Sequence, residues 1–201
     1  MNIIKSTSIL ALAILTISAQ ANLLTNGDFE KPVVGGWGAY TSISGWTAVQ
    51  DKIEIGTAGT YGVTGTSGQV LELDAYHNAI VQQSVSLSAG SYSLSFGYAR
   101  RKTSMSGRPL NTADFDVLWN GAVVYSGRDL TSTSFTTTQI SLLGNSGTNI
   151  LQLRGMGNDD SFGAIVDNFS LSKNPEAVPE PASLLALATG LAAVIRRKLA
   201  R

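Results

Sequence analysis

Short runs in which apolar and polar residues alternate recur along the middle of the chain. The clearest run is residues 92–99, YSLSFGYA, where large apolar side chains alternate with serine and glycine. Successive side chains of a β-strand point to opposite faces, so this period of two predicts a strand with one buried face. Further strands are predicted at 23–29, 52–55, 69–73, 81–87, 115–119, 122–125, 135–143, 148–154 and 163–171. No long stretch has the 3.6-residue period of an amphipathic helix, so the pattern predicts an all-β domain.

Turn residues separate these runs at short intervals. Asn120 and Gly121 join two of the predicted strands, and this pair favours the positive φ angles of a type I′ hairpin turn. Two glycine-rich segments, 56–68 and 155–163, are predicted to be loops. The first lacks the Lys-Ser/Thr pair and the following helix of a phosphate-binding loop. Nine or ten short strands connected in this way are typical of a β-sandwich.

The first 21 residues have the features of a signal peptide. Lys5 supplies a positive charge, residues 9–17 form an apolar stretch, and Ala19 and Ala21 form a small-residue cleavage site. Charge, apolar stretch and cleavage site occur in the order that export requires. The mature chain is therefore predicted to begin at Asn22, and residues 22–173 to form one domain.

The C-terminal segment has a different export pattern. Residues 174–181 form a linker that ends in Pro179, Glu180 and Pro181, and residues 182–201 are predicted to form a hydrophobic helix with a basic tail. Its apolar stretch, 182–195, is shorter than the ~17–25 residues of a stable membrane span. The basic residues after it would stay on the cytoplasmic side. This combination predicts a temporary membrane anchor, and a helix docked on the domain is the alternative.

Charge and cysteine content exclude several functions. Residues 22–178 contain nine Lys/Arg and thirteen Asp/Glu, a net charge of −4, which makes a nucleic-acid backbone a poor ligand. The chain has no cysteine, so disulfides, thiol catalysis and zinc–thiolate sites are excluded. A core, with or without a metal, must hold the fold together.

Three stretches of the domain resemble one fold family. Asn22 to Glu30 (NLLTNGDFE) followed by Gly45-Trp46-Thr47, the run AGSYSLSFGYAR at 89–100, and GAIVDNFSL at 163–171 resemble galactose-binding-like jelly rolls, which include many carbohydrate-binding modules. The resemblance spans about residues 22–172 and implies a jelly-roll β-sandwich. It does not specify a ligand, because members of one fold family carry different functions.

The tail resembles a sorting signal. Val178-Pro-Glu-Pro181, the apolar stretch and the basic end resemble the PEP-CTERM signal of Gram-negative bacteria. The resemblance implies that a membrane sorting protease processes the tail after transient inner-membrane anchoring. The mature protein would then reach the outer surface or the extracellular matrix.

Three acidic residues are candidate ligands for calcium, which takes six to eight oxygens and accepts carbonyls beside carboxylates. Asp28 and Glu30 follow the domain's first residues, and Asp167 lies in its last predicted strand. The resemblance implies a structural calcium where these segments meet, with Glu30 and Asp167 in the ligand positions. A hydrogen-bonded turn without metal is the alternative.

Sugar binding needs aromatic rings that stack on apolar sugar faces and polar groups that bind hydroxyls. Trp46 and Trp119 are predicted to be core residues because their strand and turn patterns point them inward. The remaining candidate ligand-binding residues are Trp37, Tyr40, Tyr76, His77, Arg100 and Asp160. Arg100 could instead pair with an acid such as Asp160.

Catalysis has little support in the sequence. His77 is the single histidine, and no G-x-S-x-G motif is present. Asp114 with Asp116, or Asp159 with Asp160, could form the carboxyl pair of a glycosidase, but solvated strand and turn acids are commoner. The leading hypothesis is a non-enzymatic surface or matrix protein that binds carbohydrate, such as an exopolysaccharide. The alternatives are a structural or adhesive matrix protein without a sugar site and, third, a glycoside-active enzyme.

Overall fold

The computed structural model describes residues 21–102 and 113–175 of the 201-residue chain. Most of the predicted signal peptide, with Ala19, and the predicted tail, with Pro179, Glu180 and Pro181, lie outside these residues. Within the two described ranges, no helix is long and apolar enough to cross a membrane.

Two six-stranded antiparallel sheets form the domain. The first sheet has the strand order β1 (Trp37–Tyr40), β4 (Ile53–Thr57), β5 (Gln69–Glu72), β12 (Ala164–Lys173), β7 (Gly90–Arg100) and β10 (Thr136–Gly144). The second has the order β2 (Ser42–Ile43), β3 (Trp46–Gln50), β6 (Ile80–Leu87), β11 (Gly147–Gly155), β8 (Phe115–Trp119) and β9 (Ala122–Gly127). One short helix, α1 (Ala58–Tyr61), follows β4. The predicted all-β sandwich is thus confirmed.

The hydrophobic core between the sheets is rich in aromatic rings. Phe96 of β7 stacks on Phe169 of β12 with ring centroids 4.9 Å apart, and Trp46 lies 6.2 Å from Phe169. The indole N–H groups of both buried tryptophans are satisfied, because Trp46 donates to the Asn26 carbonyl and Trp119 to the Leu143 carbonyl. The prediction that Trp46 and Trp119 belong to the core is confirmed.

The predicted strand at 23–29 is wrong. These residues form turns, and Asn26 and Phe29 have positive φ angles of 53° and 50°. The segment nevertheless lies beside β12, since the Leu23 N–H donates to the Leu171 carbonyl and the Phe169 N–H donates to the Gly27 carbonyl, both at 2.8 Å. The Asn22 side chain also bonds to β12, so the start of the predicted mature chain is tied to the last strand.

The outer face of the first sheet is partly covered by the connection between β4 and β5. This connection was predicted to be a loop, and it contains α1, which Thr57 caps at its N-terminus. Tyr61 and Val63 from this connection pack on Val70 of β5 and Ile165 of β12. The cover explains why charged residues on this face of the sheet can be buried.

Candidate functional site

Three loops meet at one end of the sandwich, and we call them the loop end: 51–52, 73–79 and 156–163. The Asp51 carboxylate Oδ2 accepts hydrogen bonds from the backbone N–H groups of Tyr76 and His77, both at 3.0 Å. The Nδ1 atom of His77 lies 2.9 Å from Asp159 Oδ2. Each loop is therefore bonded to another, although the first and last are more than 100 residues apart in the chain.

Buried and half-buried groups beneath the loop end fix its shape. Asp74 is fully buried, and its Oδ2 accepts the N–H groups of Asp160 and Ser161 at 3.0 and 2.9 Å. The Asn78 N–H donates to Asp159 Oδ1 at 3.0 Å, and the Asn78 amide donates to the Gly157 carbonyl at 2.8 Å. Bonds from several directions hold these side chains in one arrangement before any ligand arrives.

The fixed loops present an aromatic ring beside polar groups. The Tyr76 side chain is 54% exposed, and His77 and Asp159 beside it also face solvent. The hydrogen bond to Asp159 and the charge of that carboxylate raise the pKa of His77 above its usual value. Burial raises the pKa of Asp74, while backbone N–H groups from 160–162 oppose the effect. The loop end therefore exposes an aromatic ring, an imidazole and a carboxylate to solvent.

The other predicted ligand residues lie in two places. Arg100 ends β7 opposite Ala164 of β12, at the same end of the sandwich as the 156–163 loop that carries Asp160. Trp37 and Tyr40 lie on the edge strand β1, opposite Gly56 and Ile53 of β4. Trp37 is exposed, but it lies three residues further from the loop end than Tyr40. The structure thus groups Tyr76 and His77 at the loop end with Asp160 and separates Trp37 from them.

A buried charged cluster beside the loop end was not predicted. Glu54 of β4 and Glu72 of β5 lie directly opposite each other and are 5% and 0% exposed. Arg101 donates from Nη1 to Glu72 Oε2 at 2.6 Å and to the Ser161 carbonyl at 3.0 Å. The Tyr61 hydroxyl donates to Glu54 Oε1 at 2.9 Å. Each glutamate has an apolar residue on both sides in the sequence, which is the signal that could have indicated a buried acid.

Aromatic rings flank the cation of this cluster. The guanidinium carbon of Arg101 lies 4.8 Å from the Tyr61 ring centroid and 4.5 Å from the Phe162 ring centroid. A cleft of about 430 Å³ opens above it, lined also by Lys102 and α1. Burial raises the pKa of Glu72 well above its usual value, the Glu54 carboxyl adds to the rise, and Arg101 opposes it.

The buried acids Glu54, Glu72 and Asp116 do not provide the open carboxyl pair of a glycosidase, whereas Asp159 and Asp160 lie in the solvent-facing loop 156–163. A glycosidase needs two carboxyl groups that face each other across an open cleft. Glu54 and Glu72 are buried, and Asp116 is 2% exposed with Arg154 bonded to its Oδ2 at 2.7 Å. These carboxyl groups hold the sandwich together and are closed to a polysaccharide.

The three candidate calcium ligands lie where the first and last segments of the domain meet. Asp167 is 1% exposed, and its Oδ2 accepts hydrogen bonds from the Thr66 hydroxyl and the Asn168 amide. Glu30 Oε1 accepts the Gln69 N–H at 2.9 Å. Burial raises the pKa of Asp167 to about 7, and the negative charges of Glu30 and Asp28 contribute to the rise. The negative charges of Glu30 and Asp28 therefore act on the Asp167 carboxyl group.

The negative charges of Asp28, Glu30 and Asp167 suit a hard cation such as calcium. In the described part of the chain, no lysine or arginine pairs with any of the three acids, and a cavity of about 270 Å³ opens beside Asp28. Residues 21–102 and 113–175 contain no group of three or more His, Cys, Asp or Glu side chains arranged to hold a metal. A calcium ion here would therefore also need carbonyl, amide or water oxygens, which calcium accepts.

Comparisons with known proteins identify the tail and support the fold. A family model for the PEP-CTERM protein-sorting motif matches residues 177–198. Two multifunctional-autoprocessing repeats-in-toxin proteins, from Vibrio vulnificus and Vibrio cholerae, are 31% and 34% identical over 151 and 157 residues, 73% and 75% of this chain. The chain spans about 3% of the length of either toxin.

Solved structures that match this chain share little sequence with it. An arabinose-bound family 51 α-L-arabinofuranosidase matches with a TM-score of 0.51 at 13% identity, over 76% of this chain and 26% of that chain. A family 61 carbohydrate-binding module in complex with β-1,4-galactotriose matches with a TM-score of 0.49 at 14% identity, over 77% and 99%. A family 35 module from Paenibacillus barcinonensis matches with a TM-score of 0.42 at 19% identity, over 70% and 100%. The chain thus carries a PEP-CTERM protein-sorting motif at residues 177–198, and its described domain is a two-sheet antiparallel β-sandwich.

Proposed function

We propose that this protein binds carbohydrate at the outer surface or in the extracellular matrix of a Gram-negative bacterium, without catalysing a reaction. The observation that supports the proposal best is the exposed Tyr76 ring beside the ordered His77–Asp159 pair. A phenol ring can stack on the apolar face of a pyranose while the imidazole and the carboxylate bind its hydroxyls. The loop end is the proposed site, and an exopolysaccharide is the proposed ligand.

The export route forms part of the same proposal. The signal peptide is removed after Ala21, the tail anchors the chain transiently in the inner membrane, and a sorting protease of the exosortase type processes it near Pro179–Pro181. The match of the PEP-CTERM motif to residues 177–198 supports this route. We also propose that the sandwich belongs to the galactose-binding-like jelly rolls, and that Glu30 and Asp167, with Asp28 as a further candidate, share one calcium ion with carbonyl or water oxygens.

Substitution of Tyr76 with alanine should weaken sugar binding at least tenfold. Truncation of a central aromatic hot-spot residue costs about 2 kcal/mol or more, and 1.4 kcal/mol corresponds to a factor of ten in affinity. Affinity electrophoresis of the full chain in gels that contain exopolysaccharide measures the change. Trp37→Ala is the matched control, because Trp37 is an equally exposed aromatic residue outside the loop end.

The control also distinguishes a sugar site at the loop end from one on the edge strand β1. Loss of retardation in Tyr76→Ala, with retention in Trp37→Ala, supports the loop end. The reverse result places the sugar site on the edge strand β1 and contradicts the proposed location. Retardation that survives both changes contradicts any role for either ring.

A further inference from the structure

Among the described residues, 21–102 and 113–175, the strand β10 has a regular edge with no neighbouring strand. It lies at the border of the first sheet, and all nine of its residues, Thr136 to Gly144, pair with β7 without a register shift. Such an edge leaves backbone N–H and C=O groups open for pairing with another strand. The Trp119 indole donates to the Leu143 carbonyl, so the open part of this edge runs over residues 136–142.

The other three sheet edges are protected against such pairing. The strand β1 has four residues and β2 has two, which is too short for a stable intermolecular ladder. The strand β9 has six residues and a register shift in its pairing with β8. Proteins commonly blunt edges with short strands, bulges, proline or charge, and residues 136–142 (TTTQISL) have none of these.

The open edge is self-complementary. When two copies of residues 136–142 pair antiparallel about their central residue, Gln139 lies opposite Gln139. Thr137 then lies opposite Ser141, and Thr138 opposite Ile140. Polar residues thus meet polar residues on the exposed face, Thr138 meets Ile140 and Thr136 meets Leu142 on the other face, and no like charges oppose each other.

We propose that β10 pairs with β10 of a second copy of this chain, with the two-fold axis at Gln139. The pairing joins two six-stranded sheets into one continuous sheet of twelve strands. The occupant is a second copy because the uncharged edge is long enough for a seven-residue ladder and matches its own sequence in this register. The proposal is independent of sugar binding, although a dimer would carry two loop ends and gain avidity for a repetitive polysaccharide.

A charge at the two-fold axis tests the proposal in the full chain, held in mild non-ionic detergent. In Gln139→Lys two lysines lie directly opposite each other, and in Gln139→Glu two glutamates do, so each variant should raise the dimer dissociation constant at least tenfold. An equimolar mixture of the two variants should dimerise again, because lysine then faces glutamate. Val123→Lys, on the exposed edge of β9, is the matched control and should dimerise like the unchanged chain. Analytical ultracentrifugation measures these four samples and the unchanged chain.

Three results would overturn the proposal. An unchanged chain that stays monomeric at high micromolar concentration excludes the dimer. Dimerisation of Gln139→Lys as tight as that of Val123→Lys excludes β10 as the interface. If both charged variants fail to fold, Gln139→Cys decides, because it would be the single cysteine of the chain. Mild oxidation should then give a covalent dimer, and its absence rules out Gln139 at the axis.

Discussion

Substitution of Arg101 with methionine should lower the free energy of unfolding by about 3–5 kcal/mol. The change removes the cation that contacts Glu72 at 2.6 Å and leaves that fully buried carboxyl group opposite Glu54. An uncompensated buried charge is costly because the interior cannot replace its hydration. At ~2–4 °C per kcal/mol, a melting curve should show the thermal midpoint fall by roughly 6–20 °C.

The pH dependence of this loss has a definite sign. The pKa of Glu72 is already raised in the folded protein, mainly by burial, and removal of Arg101 should raise it further. The native state then holds a proton that the unfolded state has lost above its usual pKa, so stability falls as pH rises through this range. Arg101→Met should therefore lose less stability near pH 4 than at pH 7. A loss that is equal at both pH values would contradict the cluster as described.

A second substitution, Glu72→Gln, should restore part of the stability that Arg101→Met loses. Glu72→Gln in the Arg101→Met background removes the uncompensated charge and keeps an acceptor for the Gly163 N–H. We expect the double variant to recover at least half of the lost stability. Arg128→Met is the matched control, because the Arg128 side chain is more exposed and its partner Asp116 keeps a second cation in Arg154.

Removal of calcium should lower the thermal midpoint by about 5–11 °C. A ligand present at a hundred times its Kd stabilises the native state by about 2.7 kcal/mol, and ~1 kcal/mol moves the midpoint by about 2–4 °C at this size. The chain has no disulfide to join its first and last segments, so a shared ion at Glu30 and Asp167 would carry that link. Melting curves with and without chelator measure the effect.

Two variants distinguish calcium binding from a general effect of the chelator. Asp167→Asn should abolish the response to chelator. Asp129→Asn changes an exposed acid that is not a candidate calcium ligand, so this variant should still respond to chelator. In chelator, stability should fall as pH rises from about 4 to about 7, since the pKa of Asp167 is raised to about 7. A curve unmoved by chelator, with no metal in the purified protein, would leave the three acids as turn and strand residues.

Local features of the fold were predictable from the sequence. The alternation at 92–99 became β7, and Asn120-Gly121 adopts the two positive φ angles, 51° and 82°, that its hairpin requires. These features depend on neighbours in the chain. The strand predicted at 23–29 overlooks a local signal, because Asn26-Gly27 is the same turn-favouring pair, and the hydrogen-bond partners of this segment on β12 are more than 140 residues away.

The candidate site could be predicted only in part for the same reason. Tyr76 and His77 are recognisable as exposed loop residues, but their partner Asp159 is 82 residues away from His77. Glu54 and Glu72 are separated by 18 positions and meet through the register of β4 and β5, which the sequence does not specify. The chemical character of these residues could therefore be predicted from the sequence. Their meeting in space could not, because it depends on the sheet topology.

The most direct test of carbohydrate binding is a glycan array probed with the full chain. The unchanged protein should bind a defined group of glycans, and Tyr76→Ala should lose most of that signal. Chelator should weaken binding only through stability, because Asp28 and Asp167 lie outside the loop end. Absence of any glycan signal from a folded protein would contradict carbohydrate binding and favour a structural or adhesive matrix role.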